Sequence, residues 1–488
     1  MGAIRLRTDD HLMAATSKAD LRVLHEATLA LLKQTGVKVA CPQALDHLSE
    51  VGVRVDRATM RAYPEASHID SALASVPRCF MVFGRRPRQD RPVLLGGEFV
   101  NVMSGGGSLR VLSLEGEYEP ASWQHLRQFN RLLDALPNIH MHINQVDPVD
   151  QAGPGFYRRI AAEMLVGCTK PLCFQAASAE DVNGMIEMGA AVRGSNVALE
   201  SQPMFMIGLN AEPPLCISKH VAEAFLAACT AGLPVSLGHY SMMGITAPVT
   251  VAGAVVQTNA VQMVAIVLAQ AVRPRTPICY TSFCGDADLR TLSVNTSSPR
   301  AVQLLRLGIE LGRSYGLPIY SVALTDARSP DPQAACERAV QLQIAIEAGA
   351  HLIQGPTSHM DKMLLSSFVQ AVIDNDITGY VLAGHSSPEV SAETLALEVA
   401  QEVTDECEYA RFKYASHEHT VRHLRDGNWQ PWAFAYDDFG AWDDAGRVSV
   451  VDRAAQKARE ILSTHRPELL PHNIAEAIHR IALPQLVA

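Results

Sequence analysis

Residues 203–240, PMFMIGLNAEPPLCISKHVAEAFLAACTAGLPVSLGHY, contain the pattern that decides the fold. An apolar run begins at Pro203, a helical stretch follows over residues 217–231, and a second apolar run begins at Pro234. Runs that are nearly continuous in apolar residues are typical of parallel strands covered on both faces. The stretch therefore predicts two parallel strands joined by a returning helix.

The same pattern recurs from about residue 140 to residue 356. Seven apolar runs begin near residues 140, 170, 203, 234, 277, 318 and 350, and helical stretches separate them. Successive units of this kind form either an open doubly wound sheet or a closed eight-stranded barrel. The eighth strand of a barrel could lie before residue 140 or after residue 376. In both architectures the chemistry lies at the carboxyl ends of the strands.

The composition indicates an ordinary globular protein. The chain has 488 residues, of which 48% are hydrophobic and 19% charged, and its net charge of −10 argues against nucleic acid as the main partner. Ten cysteines occur without a CxxC pair, which favours reduced thiols in the cytoplasm. The first residues lack the apolar segment of a signal peptide, and the longest apolar stretch, Val249 to Val272, contains Thr, Gln and Asn. We therefore expect a cytoplasmic protein without a membrane span.

Changes in pattern along the chain predict three regions. Residues 1–125 combine helices with short β-like runs broken by Gly and Pro, which indicates an N-terminal extension. Residues 126–390 carry the repeat and form the predicted (β/α) barrel core. Residues 391–488 contain an amphipathic helix, a Trp-rich segment and a polar helix, so we expect a C-terminal helical extension packed on the barrel.

Polar and aromatic side chains follow the predicted strands at their carboxyl ends, the end of a barrel here called the barrel mouth. Groups from several strands converge there on one axis, so they predict a binding site. The candidate substrate-binding residues are Asn210, His239, Tyr240, Phe283, Asp326 and His359. Asn144 and Gln175 occupy the same place after two further runs. For each residue the alternative is a structural role, as a helix cap or a partner of backbone groups.

A His-Met-His sequence at 140–142 raises a second possibility. Two histidines one residue apart on a strand point to the same face, as in metal-dependent barrel hydrolases, and His239 could complete such a site. The pair, however, opens its run and so lies at the wrong end of the strand. Gly105 to Gly107 precede a strand-like segment rather than a helix, which favours a plain turn over a phosphate-binding loop.

Several ordered segments resemble the trimethylamine methyltransferase superfamily, in which an N-methyl group passes to a corrinoid protein. The matching segments are LLKQTGVKV (31–39), LDALPNI (133–139), TKPLCFQ (169–175), GLNAEPPL (208–215), MMGITAPVTVAGAVVQTNAVQMVAIVL (242–268), SPDPQAACE (329–337), AGAHLIQGP (348–356) and HEHTVRHLRDGNWQP (417–431). The resemblance implies a (β/α)8 TIM barrel with helical extensions, no metal of its own, and substrate contacts at Asn210 and His359. Trimethylamine-specific members carry pyrrolysine, whereas this chain has Cys336 in the segment where that residue is expected.

The resemblance therefore implies the branch without pyrrolysine, which acts on quaternary amines such as glycine betaine. The expected activity is transfer of an N-methyl group from a small quaternary amine to cobalt(I) of a corrinoid (cobalamin). A partner protein carries that corrinoid and docks at the barrel mouth near His239 and His359, and we expect no covalently bound cofactor. We also expect a homo-oligomer. Two alternatives remain, a metal-dependent hydrolase using His140 and His142, and a non-catalytic protein that binds quaternary amines.

Overall fold

A closed barrel of eight parallel strands forms the centre of the molecule. The computed structural model describes residues 4–5, 16–87, 89–151, 153, 155–405, 413–424 and 429–483. The barrel strands are β1 (Phe99–Met103), β2 (His142–Ile143), β3 (Leu172–Gln175), β4 (Phe205–Asn210), β5 (Val235–Gly238), β6 (Ile278–Ser282), β7 (Ile319–Val322) and β8 (Leu352–Gln354). Each strand pairs in parallel with the next, β8 pairs with β1, and a bridge between Met103 and Met141 closes the ring beside β2.

One long helix follows each strand and covers the outside of the barrel. These helices are α1 (Trp123–Ala135), α2 (Phe156–Gly167), α3 (Ala179–Arg193), α4 (Lys219–Thr230), α5 (Val251–Val272), α6 (Pro299–Ser314), α7 (Pro332–Ala348) and α8 (Phe368–Gly384). Their starts follow local chemistry, because side-chain oxygens accept backbone N–H bonds at five N-caps, Ser122, Ser178, Ser298, Asp331 and Ser367. The predicted (β/α)8 TIM barrel is confirmed.

The eighth strand lies before residue 140. It is β1, whose residues 99–103 belong to the region that the sequence assigns to the N-terminal extension, so the barrel includes part of residues 1–125. The boundary at residue 126 is therefore too late. Two neighbouring runs explain the error, because Cys79–Val82 and Val93–Gly96 are also short strands separated by Gly and Pro, yet they pair only with each other.

The rest of the N-terminal extension packs around one side of the barrel. It contains the helices Lys18–Gln34, Pro42–Glu50 and Ala66–Ser75, the strands Val37–Val39, Arg54–Asp56 and Arg61–Tyr63, and the short strand Ile4–Arg5 antiparallel to β1. All three of these helices contact α5, and Lys18–Gln34 and Ala66–Ser75 do so most extensively. Helix α5 is long and apolar enough to cross a membrane by length and composition, but 78% of its most apolar window is buried inside the molecule. Other elements cover α5 on both sides, and this burial explains why its surface is apolar all round.

The C-terminal extension contains the helices Ala392–Leu395, Leu397–Asp405, Lys413–Ser416, Glu418–His423, Phe439–Asp444, Val450–Thr464 and His472–Ala482. The first two replace a single predicted amphipathic helix, because the backbone at Ala396 adopts a left-handed conformation with φ of 50°. Helix Val450–Thr464 packs on α8. On α8, the buried Asp376 carboxylate accepts hydrogen bonds from three backbone N–H groups of residues 432–434, which anchors this segment to the barrel.

Short strands in the loops after the barrel strands build the rim of the barrel mouth. Arg110–Leu112 and Tyr118–Pro120, which follow β1, form a sheet with Leu365–Ser367, which follows β8. Ser241–Met242, Cys284–Asp288 and Ser293–Asn295 form a second small sheet from the loops after β5 and β6. Cys216–Ile217, in the loop after β4, pairs with Val37–Val39, and the helix Asn196–Ser201 follows α3 at the opposite end of the barrel.

Candidate active site

Aromatic side chains from β6 and β7 meet at the barrel mouth. Phe283 follows β6 directly, and its ring packs edge-on against that of Tyr320 on β7, with centroids 4.6 Å apart and an interplanar angle of 87°. The Tyr320 hydroxyl donates a hydrogen bond to Oε1 of Gln354 at the end of β8. Burial raises the pKa of Tyr320 well above its ordinary value, so this hydroxyl stays a donor.

Asn210 lies beside this aromatic pair. It ends β4 and is exposed, and both its Oδ1 atom and the Phe283 ring occupy the space in which a side chain at Gly238 would lie. Gly238 ends β5, so the absence of a side chain there lets Asn210 and Phe283 approach each other. Two of the predicted substrate-binding residues are thus brought together at the mouth.

His359 is buried rather than open to solvent, with 2% of its surface exposed. Its Nε2 atom lies 3.1 Å from the carbonyl oxygen of Met363, to which it donates. Burial, assisted by the nearby Arg338 charge, lowers the pKa of His359 to about 3. The imidazole is therefore neutral, and Nδ1, which has no hydrogen-bond partner in the part of the chain that the structure describes, carries a lone pair. In this tautomer His359 offers Nδ1 as an acceptor, and substrate contact by this residue stays a prediction.

His239 lies against α5 behind the barrel wall. It is fully buried, and its Nδ1 atom is 3.0 Å from the Ser241 hydroxyl and 3.5 Å from that of Thr258 on α5. Burial lowers its pKa to about 4, although the backbone of Pro214 opposes the shift. His239 is therefore also neutral, and its known contacts are structural.

Asp326 and Tyr240 contact the loops of the rim. The Asp326 carboxylate accepts hydrogen bonds from the Thr296 backbone and hydroxyl and from the Ser297 backbone, with distances of 2.7 to 3.1 Å. These donors occupy both carboxylate oxygens and join the loops after β6 and β7. The Tyr240 hydroxyl lies close to the backbone of Gly285 in the loop after β6. Substrate contact by either residue stays a prediction.

The two histidines proposed for a metal hydrolase have structural partners. His140 accepts a hydrogen bond from the backbone of Val102 through Nδ1. His142 contacts the Ser104 hydroxyl through Nδ1 at 2.9 Å and the Asn130 side chain on α1 through Nε2 at 2.8 Å. Among the residues that the structure describes, no group of three or more His, Cys, Asp or Glu side chains is placed to hold a metal ion. The donor geometry thus does not support the hydrolase hypothesis.

Gln175 and three polar residues that the sequence did not indicate, Gln145, Asp147 and Gln354, complete the mouth beside the glycine run. Gln145 donates to the Ser366 hydroxyl at 2.8 Å and lies against Gly105 together with His359. Gln354 lies against Gly106, and Asp147 and Gln175 lie against Gly107. A side chain at Gly105 would enter the space of His359 and Gln145, and one at Gly106 would press against Gln354, whereas Gly107 is required by its backbone φ of 77°. Asp147 follows β2 by four residues, and its position just after a strand end is the only signal in the sequence.

The buried thiols beneath the mouth are not nucleophiles. Cys173 on β3 is fully buried, and burial raises its pKa to about 12. Burial also raises the pKa of Cys279 on β6 far above its ordinary value. A thiol reacts as the thiolate, so both groups are inert at neutral pH.

The family model for trimethylamine methyltransferase (MTTB) matches residues 3–482. The chain belongs to this family. It is 27% identical over 473 residues to trimethylamine methyltransferase MttB of Desulfitobacterium hafniense (strain DSM 10664 / DCB-2), a match that covers 96% of this chain and 93% of the relative. It is 23% identical over 453 residues to glycine betaine methyltransferase of Desulfitobacterium hafniense (strain Y51), with 92% of both chains covered.

The structure of monomethylamine methyltransferase MtmB from Methanosarcina barkeri shares the fold. The two superpose with a TM-score of 0.53 at 12% sequence identity, over 92% of this chain and 87% of the MtmB chain. At 12% identity this similarity shows a shared barrel fold and gives no information about the substrate.

Cys336 lies outside the mouth. It is exposed on the second turn of α7, on the outside of the barrel. The expectation that Cys336 stands in the segment where pyrrolysine falls stays a prediction.

Proposed function

We propose that this protein transfers a methyl group from a small quaternary amine, such as a betaine, to the cobalt(I) of a corrinoid carried by a partner protein. Membership in the family across residues 3–482 supports methyl transfer, and the relative named glycine betaine methyltransferase supports a quaternary amine as donor. The printed sequence contains only the twenty standard residues, which agrees with a member that does not use pyrrolysine.

The single observation that carries the proposal is the chemistry of the mouth, which suits a cation and in which the buried thiols of Cys173 and Cys279 are not nucleophiles. The His359 imidazole is neutral, because burial depresses its pKa to about 3. It therefore does not repel an ammonium group. The thiols of Cys173 and Cys279 remain protonated, as their raised pKa values require.

When bound, the corrinoid supplies the nucleophile, so the protein's task is to place the methyl group and exclude water. The rings of Phe283 and Tyr320 form an aromatic wall of the mouth that excludes water, and Gln354 is fixed by the Tyr320 hydroxyl. The departing amine is neutral and needs no proton from an acid. Because the positive charge fades in the transition state, a modest attraction serves the reaction better than a tight aromatic cage.

Mixing the purified protein with cob(I)alamin and a panel of betaines tests the proposal, with methylcobalamin measured by absorbance. We expect methylcobalamin to form from at least one quaternary amine. Calorimetric binding of a betaine without methylcobalamin would indicate the non-catalytic binding protein instead. Absence of both binding and transfer for every quaternary amine would refute the proposed function.

Exposed aliphatic side chains on the rim support docking of the partner at the mouth. They lie in the loops after β1, β5, β6 and β8, and are Leu109, Ile245, Val249, Leu289, Leu292 and Leu364. Their exposure ranges from 40% for Ile245 to 69% for Leu292. Apolar side chains gathered on one rim are typical of a surface that another protein covers.

Leu292→Asp should weaken docking while leaving the chemistry intact, because Leu292 is on the rim and contacts no proposed substrate. We expect the rate of methyl transfer to the protein-bound corrinoid to fall about tenfold or more, and that to free cobalamin to stay unchanged. Val197→Asp is the matched control, since Val197 is 78% exposed in the helix after α3. An equal loss with both acceptors would contradict docking at this rim.

A further inference from the structure

Asp147 is a desolvated carboxylate at the barrel mouth. It follows β2, and its backbone N–H donates to the carbonyl of Ser108 at 3.0 Å, which fixes it beside the glycine run. Its Oδ2 atom lies 3.4 Å from the position that a Cβ on Gly107 would take. Burial raises the pKa of Asp147 to about 6, against the opposing effect of the hydrogen bond from Asn144.

No positive charge compensates this carboxylate within the described residues. No Lys, Arg or His there forms an ion pair with it, and the Asn144 amide at 2.6 Å is its side-chain donor. The titratable group facing it from α2 is Tyr157, whose pKa is raised to about 12 by burial and then by the negative charges of Asp147 and Asp181. Asp181 on α3 is itself paired with Arg158. Asp147 thus lacks a cation.

The neighbours of Asp147 add further acceptor oxygens. Asn144 is 1% exposed, and its Oδ1 atom accepts no hydrogen bond from any residue that the structure describes. Its Nδ2 group, which donates to Asp147, also approaches Oε1 of Gln175 at 3.5 Å. That Gln175 oxygen lies 3.9 Å from the Cβ position of Gly107. A buried acceptor without a donor costs free energy unless a ligand meets it.

We propose that the carboxylate of Asp147, with the side-chain oxygens of Asn144 and Gln175, binds the ammonium end of the substrate. This inference rests on the proposed function for the identity of the ligand, although the binding itself needs no methyl transfer. A quaternary ammonium has no N–H group and spreads its charge over its methyl groups. It is therefore recognised by oxygens and rings around it rather than by single hydrogen bonds.

The placement also orients a zwitterionic substrate. Asp147 lies near the carboxyl ends of β1, β2 and β3. The exposed Asn210 lies at the carboxyl ends of β4 and β5. A substrate carboxylate is repelled by Asp147 and can accept from the amide of Asn210. The ammonium end consequently faces the glycine run and the carboxylate end faces Asn210.

Asp147→Asn removes the charge and keeps an oxygen for the Asn144 amide. Calorimetry on the whole protein compares glycine betaine with 3,3-dimethylbutyrate, which has the same shape and carboxylate but no positive charge. We expect the wild-type protein to bind glycine betaine about tenfold or more tightly, and Asp147→Asn to bind both within about twofold. Asp150→Asn, an exposed neighbour with the same change in net charge, should keep the wild-type preference.

The pH dependence gives a second measurement. An ammonium binds the ionised carboxylate, so affinity for glycine betaine should be full above about pH 7, fall about twofold by pH 6, and fall about tenfold by pH 5, where Asp147 is largely protonated. The charge of glycine betaine does not change in this range. Asp147→Asn should show no such fall. Its melting temperature at pH 7 should be equal or higher, because the variant buries no charge.

Retention of the wild-type preference in Asp147→Asn, or no preference in the wild-type protein, would overturn the inference. Its failure is distinguishable from that of the proposed function. Charge-dependent binding of glycine betaine or tetramethylammonium without methylcobalamin refutes only methyl transfer. Methylcobalamin formation by Asp147→Asn with an unchanged KM refutes only the role of Asp147.

Discussion

At the scale of single residues, the glycine run after β1 shapes the mouth by leaving space for its neighbours. A Cβ on Gly105 would collide with the Cβ of His359 and would lie 2.9 Å from Nε2 of Gln145. Real Cβ atoms do not approach other atoms so closely, and the His359 backbone is itself held in place. The run is therefore a packing requirement of the mouth and not merely a flexible turn.

Gly105→Ala should for this reason be destabilising and should also displace His359 and Gln145. We expect a loss of about 1 to 3 kcal/mol in the free energy of unfolding, together with a lower kcat/KM. Gly384→Ala is the control, because nothing lies within 4 Å of its Cβ position and it ends α8. Its higher helix propensity should leave stability equal or slightly raised. Urea denaturation of both variants checks the prediction, and equal midpoints would contradict it.

At the scale of elements, one buried arginine fixes the loop that follows β8. Arg338 on α7 donates to the carbonyls of Ala323 at 2.6 Å, of Gly355, and of His359 at 2.9 Å. Its Nε atom lies 3.4 Å from the Asp374 carboxylate on α8, and both side chains are fully buried. Four non-glycine residues of this loop have positive φ, namely Ser358, Asp361, Lys362 and Met363. The network thus holds a backbone that would otherwise relax.

Arg338→Met should be strongly destabilising, because it leaves three carbonyls without donors and Asp374 without its cation. We expect a loss of about 3 to 5 kcal/mol. Arg422→Met removes an exposed arginine that pairs with Glu418 and should cost less than about 1 kcal/mol. The denaturation midpoints of the two variants, with limited proteolysis of the loop, measure the difference. A small and similar loss in both would show that the loop is held by other contacts.

Most of the barrel strands, but not all of them, can be predicted from the sequence. Seven strands and their helices follow from apolar runs at regular spacing, because a strand and its covering helix leave a local signature. The eighth, β1, is identical in pattern to the neighbouring strands of the extension, and only pairing with β8 and β2 distinguishes it. Asn210 and Phe283 were predictable from their positions at strand ends. The partners of Asp326 and the protonation of His359 depend on distant residues, so the sequence could not show them.

At the scale of the whole molecule, buried neutral histidines link stability to pH. Burial lowers the pKa to about 3 for His142, His351 and His359, and to about 4 for His239. In the unfolded chain each has a pKa of about 6.5, so below that pH the unfolded state binds protons that the folded state does not. Stability is therefore full above pH 6.5 and is lost as the pH falls toward 4. Asp147 has the opposite effect on stability. Burial raises its pKa in the folded state to about 6, so the folded state gains stability relative to the unfolded chain as the pH falls below 6.

For these four histidines and Asp147, unfolding between pH 6 and pH 4.5 should accordingly take up a net total of about three protons. His140, whose pKa burial also lowers, adds to this uptake, and Asp374, whose pKa burial raises, opposes it. Each proton changes the free energy of unfolding by about 1.4 kcal/mol per pH unit, so stability should fall by about 4 kcal/mol per unit in this range. Urea titrations at steps of half a pH unit measure the slope. His220→Gln, at a histidine with 74% side-chain exposure, should leave the slope unchanged. A flat profile down to pH 4.5 would mean that these imidazoles are not neutral in the folded state. In that case His359 could not act as an acceptor at the mouth either, because that role requires a neutral imidazole.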